Sequence, residues 1–98
     1  MTTMTPTTAA RRLARGCANH SRITILALND ADRAERELLD RMRGDMRDAV
    51  YDTPDRDDTR AEAGRYLNDC NGPLMMHELR NAAKHTIEHI RLLNAPRP

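Results

Sequence analysis

The sequence predicts an all-α fold, a small antiparallel bundle of three to four helices that we expect to form oligomers. Apolar residues recur at spacings of three and four, helix-starting and helix-ending residues separate these segments, and only one short stretch resembles a strand. Only 15 of the 98 residues are Leu, Ile, Val or Phe. Because a chain of this length buries about two-thirds of its unfolded surface, we expect a thin core and some apolar surface that meets another chain.

The chain is expected to have two parts, a mobile Thr-rich segment over residues 1–8 and a single helical domain over residues 9–95. Thr5-Pro6 or Thr7-Thr8 opens a short helix that covers residues 9–15. Gly16 is placed to close this helix, since glycine commonly ends helices.

The stretch of residues 21–28 is ambiguous. Its start is β-branched and partly alternating, which is typical of a short strand. A helix or an extended linker fits equally, and the absence of any second strand candidate favours these two interpretations.

A long helix is predicted over residues 30–51, with Asn29 or Asp30 as its N-cap. One apolar stripe runs along it, formed by Leu38, Leu39, Met42, Met46, Ala49 and Val50. Gly44 interrupts the helix. It indicates either a close approach of two backbones or a bend.

Two further helices are predicted over residues 55–70 and 73–94. Thr53-Pro54 starts the first as N-cap and first helical residue. Asn71-Gly72-Pro73 separates the two, since Asn-Gly favours positive φ and Pro73 suits a helix start. The last helix has the widest apolar stripe, which indicates burial against more than one neighbour.

Charge is divided into three blocks. Residues 1–29 carry four arginines and no acid, residues 30–69 have a net charge of −5, and residues 70–98 have a net charge of +2. The blocks either pair with one another or with a second copy, or they form ordinary solvated faces.

We expect a cytoplasmic protein that does not enter a membrane. The N-terminus has no apolar signal region, and the longest apolar stretch, six residues, is far shorter than a membrane span. In that compartment Cys17 and Cys70 are expected to be free thiols.

Two ligand pairs suggest a metal. Cys17 and His20 are three residues apart, and His85 and His89 are four apart. If the first helix packs beside the last, these four side chains form a tetrahedral zinc site. The alternative is that the histidines line a polar helix face, and our expectation is that the protein has no cofactor.

The segment His85-Thr-Ile-Glu-His89 resembles the zinc-binding helix of inverzincin peptidases. The resemblance implies a zinc ion held by both histidines, with Glu88 as the base. A catalytic zinc needs a third protein ligand and a cleft that excludes water. We therefore expect no enzymatic activity.

The basic N-terminal block predicts contacts with phosphate. Arg11, Arg12, Arg15 and Arg22 are the candidate residues. Followed by the possible strand and a helix, this block resembles a ribbon–helix–helix repressor, which implies DNA binding. A nucleic-acid-binding or nucleotide-binding module, including one for cyclic nucleotides and assisted by His85 and His89, is therefore the alternative function.

Two other resemblances concern the helical layout. A long helix, the loop Thr53-Pro54-Asp55-Arg56 and a final helix ending Arg91-Leu-Leu-Asn94 are similar to small helical chorismate mutases, which implies dicarboxylate binding. The end of the last helix, Arg91-x4-Pro96, resembles the hairpin of phage cyclic-nucleotide sponge proteins, which implies an oligomer that sequesters signal nucleotides. The chain has no Lys near the end of its long helix, and its Asn-Gly-Pro break departs from the uninterrupted sponge helix.

The main functional hypothesis is a non-enzymatic helical regulator, adaptor or inhibitor that binds a protein partner, with a homo-oligomer expected. Its size and charge blocks suit the accessory proteins of phages and mobile elements. The predicted interface contains four methionines, Met42, Met46, Met75 and Met76, and an acidic loop, Asp52, Asp55, Asp57 and Asp58. The alternatives are that the methionines fill a core without Phe and that the loop is solvated.

Overall fold

The computed structural model describes residues 5–51, 58–69 and 72–95. These residues form five helices: α1 Pro6–Ala18, α2 Ser21–Asn29, α3 Ala31–Tyr51, α4 Asp58–Asn68 and α5 Gly72–Leu93. Within the described ranges there is no strand, so the predicted all-α class is confirmed. The molecule measures 43 × 26 × 23 Å.

Helix α1 is longer than the sequence predicted. The Thr5 hydroxyl caps it by accepting a hydrogen bond from the Thr8 backbone N–H at 3.1 Å, and Pro6 occupies the first turn. Pro6 to Thr8 therefore belong to α1, which begins three residues before the predicted helix. Gly16 lies inside the helix rather than at its end. The helix continues to Ala18, and the Asn19 N–H donates a hydrogen bond to the Arg15 carbonyl oxygen at its C-terminus.

The ambiguous stretch forms helix α2. Ile23 and Ala27, four residues apart, are both fully buried, so one face of the helix packs inward. Asp30 is extended and separates α2 from α3, and its side chain accepts a hydrogen bond from the Arg33 N–H at 3.2 Å. Asp30 is thus the N-cap that the sequence offered for the long helix.

Helices α4 and α5 correspond to the last two predicted helices. The structure describes α4 from Asp58 and α5 from Gly72, which is itself helical. The predicted start at Thr53-Pro54 and the turn residue Asn71 lie outside the described residues.

The N-terminal helix is central to the fold. It packs against α5, α4 and α3, and it buries Ala9, Ala10, Leu13, Ala14, Cys17 and Ala18. The Thr7 hydroxyl donates to Glu78 Oε2 at 2.7 Å, and eight residues later Arg15 lies beside Thr86. Because both contacts have the same sequence offset, α1 and α5 run parallel. The predicted purely antiparallel arrangement is wrong for this pair.

The core of the described residues is built largely from alanine. Its largest fully buried side chains are Leu13, Ile23, Leu38, Met42, Leu67 and Leu79. Small side chains let the helices approach closely, most of all where α4 crosses α3: a Cβ built on Gly64 lies 2.8 Å from Ala49 Cβ. Around Gly44 nothing lies within 4 Å, so the close approach predicted as one alternative there occurs at Gly64 instead.

No helix in the described ranges combines the length and the apolar character that crossing a bilayer requires.

Candidate functional site

The structure does not bring the four predicted zinc ligands together. The Cys17 thiol donates a hydrogen bond to Asp45 Oδ2 of α3 at 3.2 Å, whereas His85 and His89 lie in a cleft with Arg15. His20 is exposed at the start of α2, because α1 ends at Ala18 and the chain changes direction before reaching His20. Within the described part of the chain, no three His, Cys, Asp or Glu side chains are grouped as a metal site.

Cys17 belongs to a polar cluster where α1, α3 and α4 meet. Burial raises the pKa of the Cys17 thiol from 9.0 to about 12, and the hydrogen bond and charge of Asp45 act in the same direction. Arg60 Nη1 lies 3.5 Å from Asp45 Oδ2, and Arg60 Nε is buried without a hydrogen-bond partner. The thiol therefore stays protonated at neutral pH, which is unsuitable for a nucleophile or a metal ligand.

The histidines of the inverzincin-like segment do not share a cleft with its glutamate. His85 and His89 line a small cleft beside Arg15, which we call the Arg15 cleft and which also contains Thr86. Glu88 lines a different cleft, together with Leu28 and Leu92. Glu88 therefore borders a cleft that neither histidine lines.

The four predicted phosphate-contacting arginines differ in their surroundings. Arg22 donates two hydrogen bonds to the Glu37 carboxylate, at 3.0 and 2.9 Å, and these bonds lower the pKa of Glu37. Arg22 is therefore engaged by a carboxylate in this fold, and its contact with phosphate stays a prediction. Arg11, Arg12 and Arg15 are exposed on α1, which carries no acid.

The predicted interface methionines lie mainly in the core. Met42 is fully buried among the other helices of the chain, so this fold offers a partner no access to its side chain. Met46, Met75 and Met76 are partly buried and pack against the core, because the chain has no Phe to fill the same space. Of the acidic loop, Asp58 is exposed at the start of α4, and Asp52, Asp55 and Asp57 lie outside the described residues.

Sequence reasoning missed an exposed apolar surface formed by α2 and α5. Ile25 and Leu28 share the outer face of α2, with 58% and 47% of each residue exposed, and Leu92 and Leu93 of α5 are 68% and 72% exposed. We call these four residues the α2–α5 surface. The available signal was the wide apolar stripe of the last helix, which continues past the residues that the other helices cover.

Two clefts border the α2–α5 surface. A cleft of about 690 Å³, the Leu28 cleft, contains Leu28, Arg91 and Leu92. A second cleft of about 530 Å³, the Leu93 cleft, contains Thr24, Ile90 and Leu93. Both lie between α2 and the last turns of α5, so an apolar side chain of a partner can enter either one.

The surroundings of the α2–α5 surface are mainly basic. The two clefts, together with a third one around Ile25, are lined by four arginines and one acid: Arg15, Arg22, Arg33, Arg91 and Glu88. Only Arg22 among these arginines is paired with a carboxylate in the described residues. The surface thus combines exposed apolar side chains with a positive margin. Comparison of the chain with protein-family models, with curated proteins and with solved structures gives no match.

Proposed function

We propose that this chain is a small, non-enzymatic protein-binding module that acts as a regulator, adaptor or inhibitor through the α2–α5 surface. The observation that carries the proposal is the exposure of Leu28, Leu92 and Leu93 at one end of the molecule. Contiguous exposed apolar residues with a polar margin are typical of protein-binding sites. Scattered single residues need no such explanation, but these three line two neighbouring clefts.

The proposed occupant is an acidic amphipathic helix of another protein. A helix that docks in a groove places side chains at i, i+3, i+4 and i+7 into apolar clefts, and the Leu28 and Leu93 clefts provide two such positions. The margin supplies Arg15, Arg33 and Arg91, which favour a carboxylate-rich partner. A second copy of this chain, docked symmetrically, places like charges opposite each other, so it is the less favoured occupant.

Binding of designed peptides tests this proposal. Two labelled helical peptides carry Leu at i, i+3, i+4 and i+7, with Glu at the remaining positions in one and Lys in the other. Fluorescence anisotropy should show binding of the acidic peptide and a loss of about tenfold or more in Leu28→Ser and Leu92→Ser. Tyr51→Ser is the matched control, because Tyr51 is 81% exposed at the far end of α3.

Two outcomes contradict the docking proposal. Equal affinity for the acidic and basic peptides contradicts the proposal that the arginines of the margin select an acidic partner. An undiminished affinity in both leucine variants removes the α2–α5 surface as the site. All three substituted residues are exposed, so circular dichroism should confirm an unchanged helix content before the affinities are compared.

A second candidate function is nucleic-acid binding by α1, which is favoured by one observation. Arg11, Arg12 and Arg15 are exposed on a helix without any acid. If all three contact phosphates of duplex DNA, log affinity should fall with log salt with a slope of roughly −3. Anisotropy with labelled DNA at increasing salt measures this slope, and a flat dependence contradicts the candidate.

A further inference from the structure

The Arg15 cleft has the composition of an anion-binding site. Its four lining residues come from two parallel helices, Arg15 from α1 and His85, Thr86 and His89 from α5. His85 and His89 are four residues apart, so they lie on one face of α5. The cleft has a volume of about 80 Å³, and a carboxylate is absent from its lining in the described part of the chain.

Thr86 is the independent sign of a ligand. Its side chain is buried, with 5% of the residue exposed, and its hydroxyl makes no hydrogen bond within the part of the chain that the structure describes. The hydroxyl oxygen itself is open to the cleft, since Arg60 Nε and not Thr86 Oγ1 is the buried unpaired side-chain atom among the described residues. Because Thr86 lines the cleft, a ligand there supplies the missing partner.

Arg15 is also available to a ligand. Among the described residues no carboxylate pairs with it, in contrast to Arg22 and its bidentate contact with Glu37. A guanidinium group donates parallel hydrogen bonds that match the oxygens of a phosphate. Two imidazoles and a hydroxyl can supply further donors, so all four side chains suit one small oxyanion.

We propose that the Arg15 cleft binds the phosphoryl group of a small organic phosphate monoester. The Leu93 cleft adjoins it, since Arg15, Thr86 and His89 line both, and it adds apolar contacts from Ile90 and Leu93. The phosphoryl group occupies the smaller cleft, which is too narrow for an organic ring. The organic part lies in the larger one.

The phosphate site overlaps the docking surface at Arg15 and the Leu93 cleft, so Leu28 and Leu92 serve to separate the two proposals. The phosphate ligand touches Leu93 of the α2–α5 surface but neither Leu28 nor Leu92, which line the separate Leu28 cleft. Leu28→Ser and Leu92→Ser should therefore retain phosphate binding. A failure of peptide binding then leaves the phosphate site intact, and a failure of phosphate binding leaves peptide binding intact.

The site is tested by titrating the full chain with inorganic phosphate and with phenyl phosphate. Calorimetry and amide shifts in NMR spectra measure the binding. We expect saturable binding of both, with phenyl phosphate binding more tightly. Arg15→Gln and Thr86→Val should each weaken binding by about tenfold, the loss of one charge-assisted or buried hydrogen bond. Arg80→Gln is the matched control, because Arg80 is exposed on α5 but lines neither cleft.

Thr86→Val preserves side-chain shape and removes only the unpartnered hydroxyl, so it should leave the fold unchanged. Absence of saturable binding overturns the proposal. So does an equal effect of Arg80→Gln and Arg15→Gln, or unchanged binding in Thr86→Val. Equal affinities for the two probes overturn the assignment of the Leu93 cleft to the organic part.

Discussion

Gly64 and Gly44 both lie inside helices, yet a methyl group has opposite consequences at the two positions. A Cβ on Gly64 lies 2.8 Å from Ala49 Cβ and 3.1 Å from the Met46 carbonyl oxygen, whereas the space around Gly44 is open. We predict that Gly64→Ala lowers the free energy of unfolding by roughly 1–3 kcal/mol, because α4 must move away from α3. Gly44→Ala should raise it by roughly 0.5–1 kcal/mol, since alanine favours the helix. Urea denaturation measures both.

A double variant tests whether crowding against Ala49 causes the loss of stability in Gly64→Ala. Ala49→Gly removes the methyl group that Gly64→Ala meets, so the combined variant should lose less stability than the two single changes added together. Strict additivity contradicts the close contact between α3 and α4.

The pH dependence of stability is predicted from Cys17. Below pH 9 the thiol is protonated in both states, whereas between 9.0 and about 12 the unfolded chain loses the proton and the folded chain keeps it. The unfolded state then binds fewer protons, so the free energy of unfolding falls as the pH rises through this window. Urea titrations at successive pH values should show this fall, and it should be smaller in Cys17→Ala.

The control for the Cys17 prediction is chemical. In a Cys70→Ser background, iodoacetamide at mildly alkaline pH should modify Cys17 only after urea unfolds the chain, because the reactive thiolate is suppressed by burial. Rapid modification of the folded protein contradicts the described environment of Cys17.

The sequence predicted the residues of the candidate site only in part. The spacing of His85 and His89 placed them correctly on one face of a helix, because that relation is local. Their neighbour Arg15 lies 70 residues from His85 in the sequence, so only the packing of α1 on α5 shows the cleft. Cys17 and His20 have zinc-like spacing, but α1 ends between them, and spacing alone does not show where a helix stops.

At the scale of elements, α1 has more structural importance than its short predicted length implied. Leu13 is 1% exposed at the centre of its buried face. We predict that Leu13→Ala lowers the free energy of unfolding by about 2–5 kcal/mol, through lost apolar burial and the cavity left behind. Thermal or urea unfolding measures the change, and Arg12→Ala, on the exposed face, should change stability little. A small effect of Leu13→Ala contradicts the central position of α1.

The sequence predicted some elements closely because their signals are local. The predicted helices over residues 30–51 and 73–94 correspond to Ala31–Tyr51 and Gly72–Leu93, since caps and apolar stripes lie within each segment. For residues 21–28 the sequence allows a strand, a helix or a linker, because β-branched residues favour strands in isolation. In the structure the segment is helical, and this helix buries Ile23 and Ala27. The parallel pairing of α1 with α5 depends on contacts about 70 residues apart, which periodicity does not reveal.

For the whole molecule, the expectation of a homo-oligomer stays a prediction. Light scattering at micromolar concentration measures the mass, and we expect a dimer or higher oligomer rather than the monomer mass of 11.2 kDa. Because the α2–α5 surface is proposed to bind an acidic partner, Leu28→Ser and Leu92→Ser test whether copies of the chain also meet there. Tyr51→Ser should leave the assembly unchanged. An assembly that survives both leucine substitutions uses a surface other than the one formed by α2 and α5.

The parallel course of α1 and α5 also determines where a label can be attached. Thr7 lies beside Glu78, and from there α5 continues for 15 residues, about 22 Å, to its last residue, Leu93. A fluorophore or affinity tag fused ahead of Thr5 therefore sits at the far end of the molecule from the α2–α5 surface. The same tag fused after Ala95 borders the Leu28 cleft, which Ala95 helps to line, and it should obstruct whatever enters there.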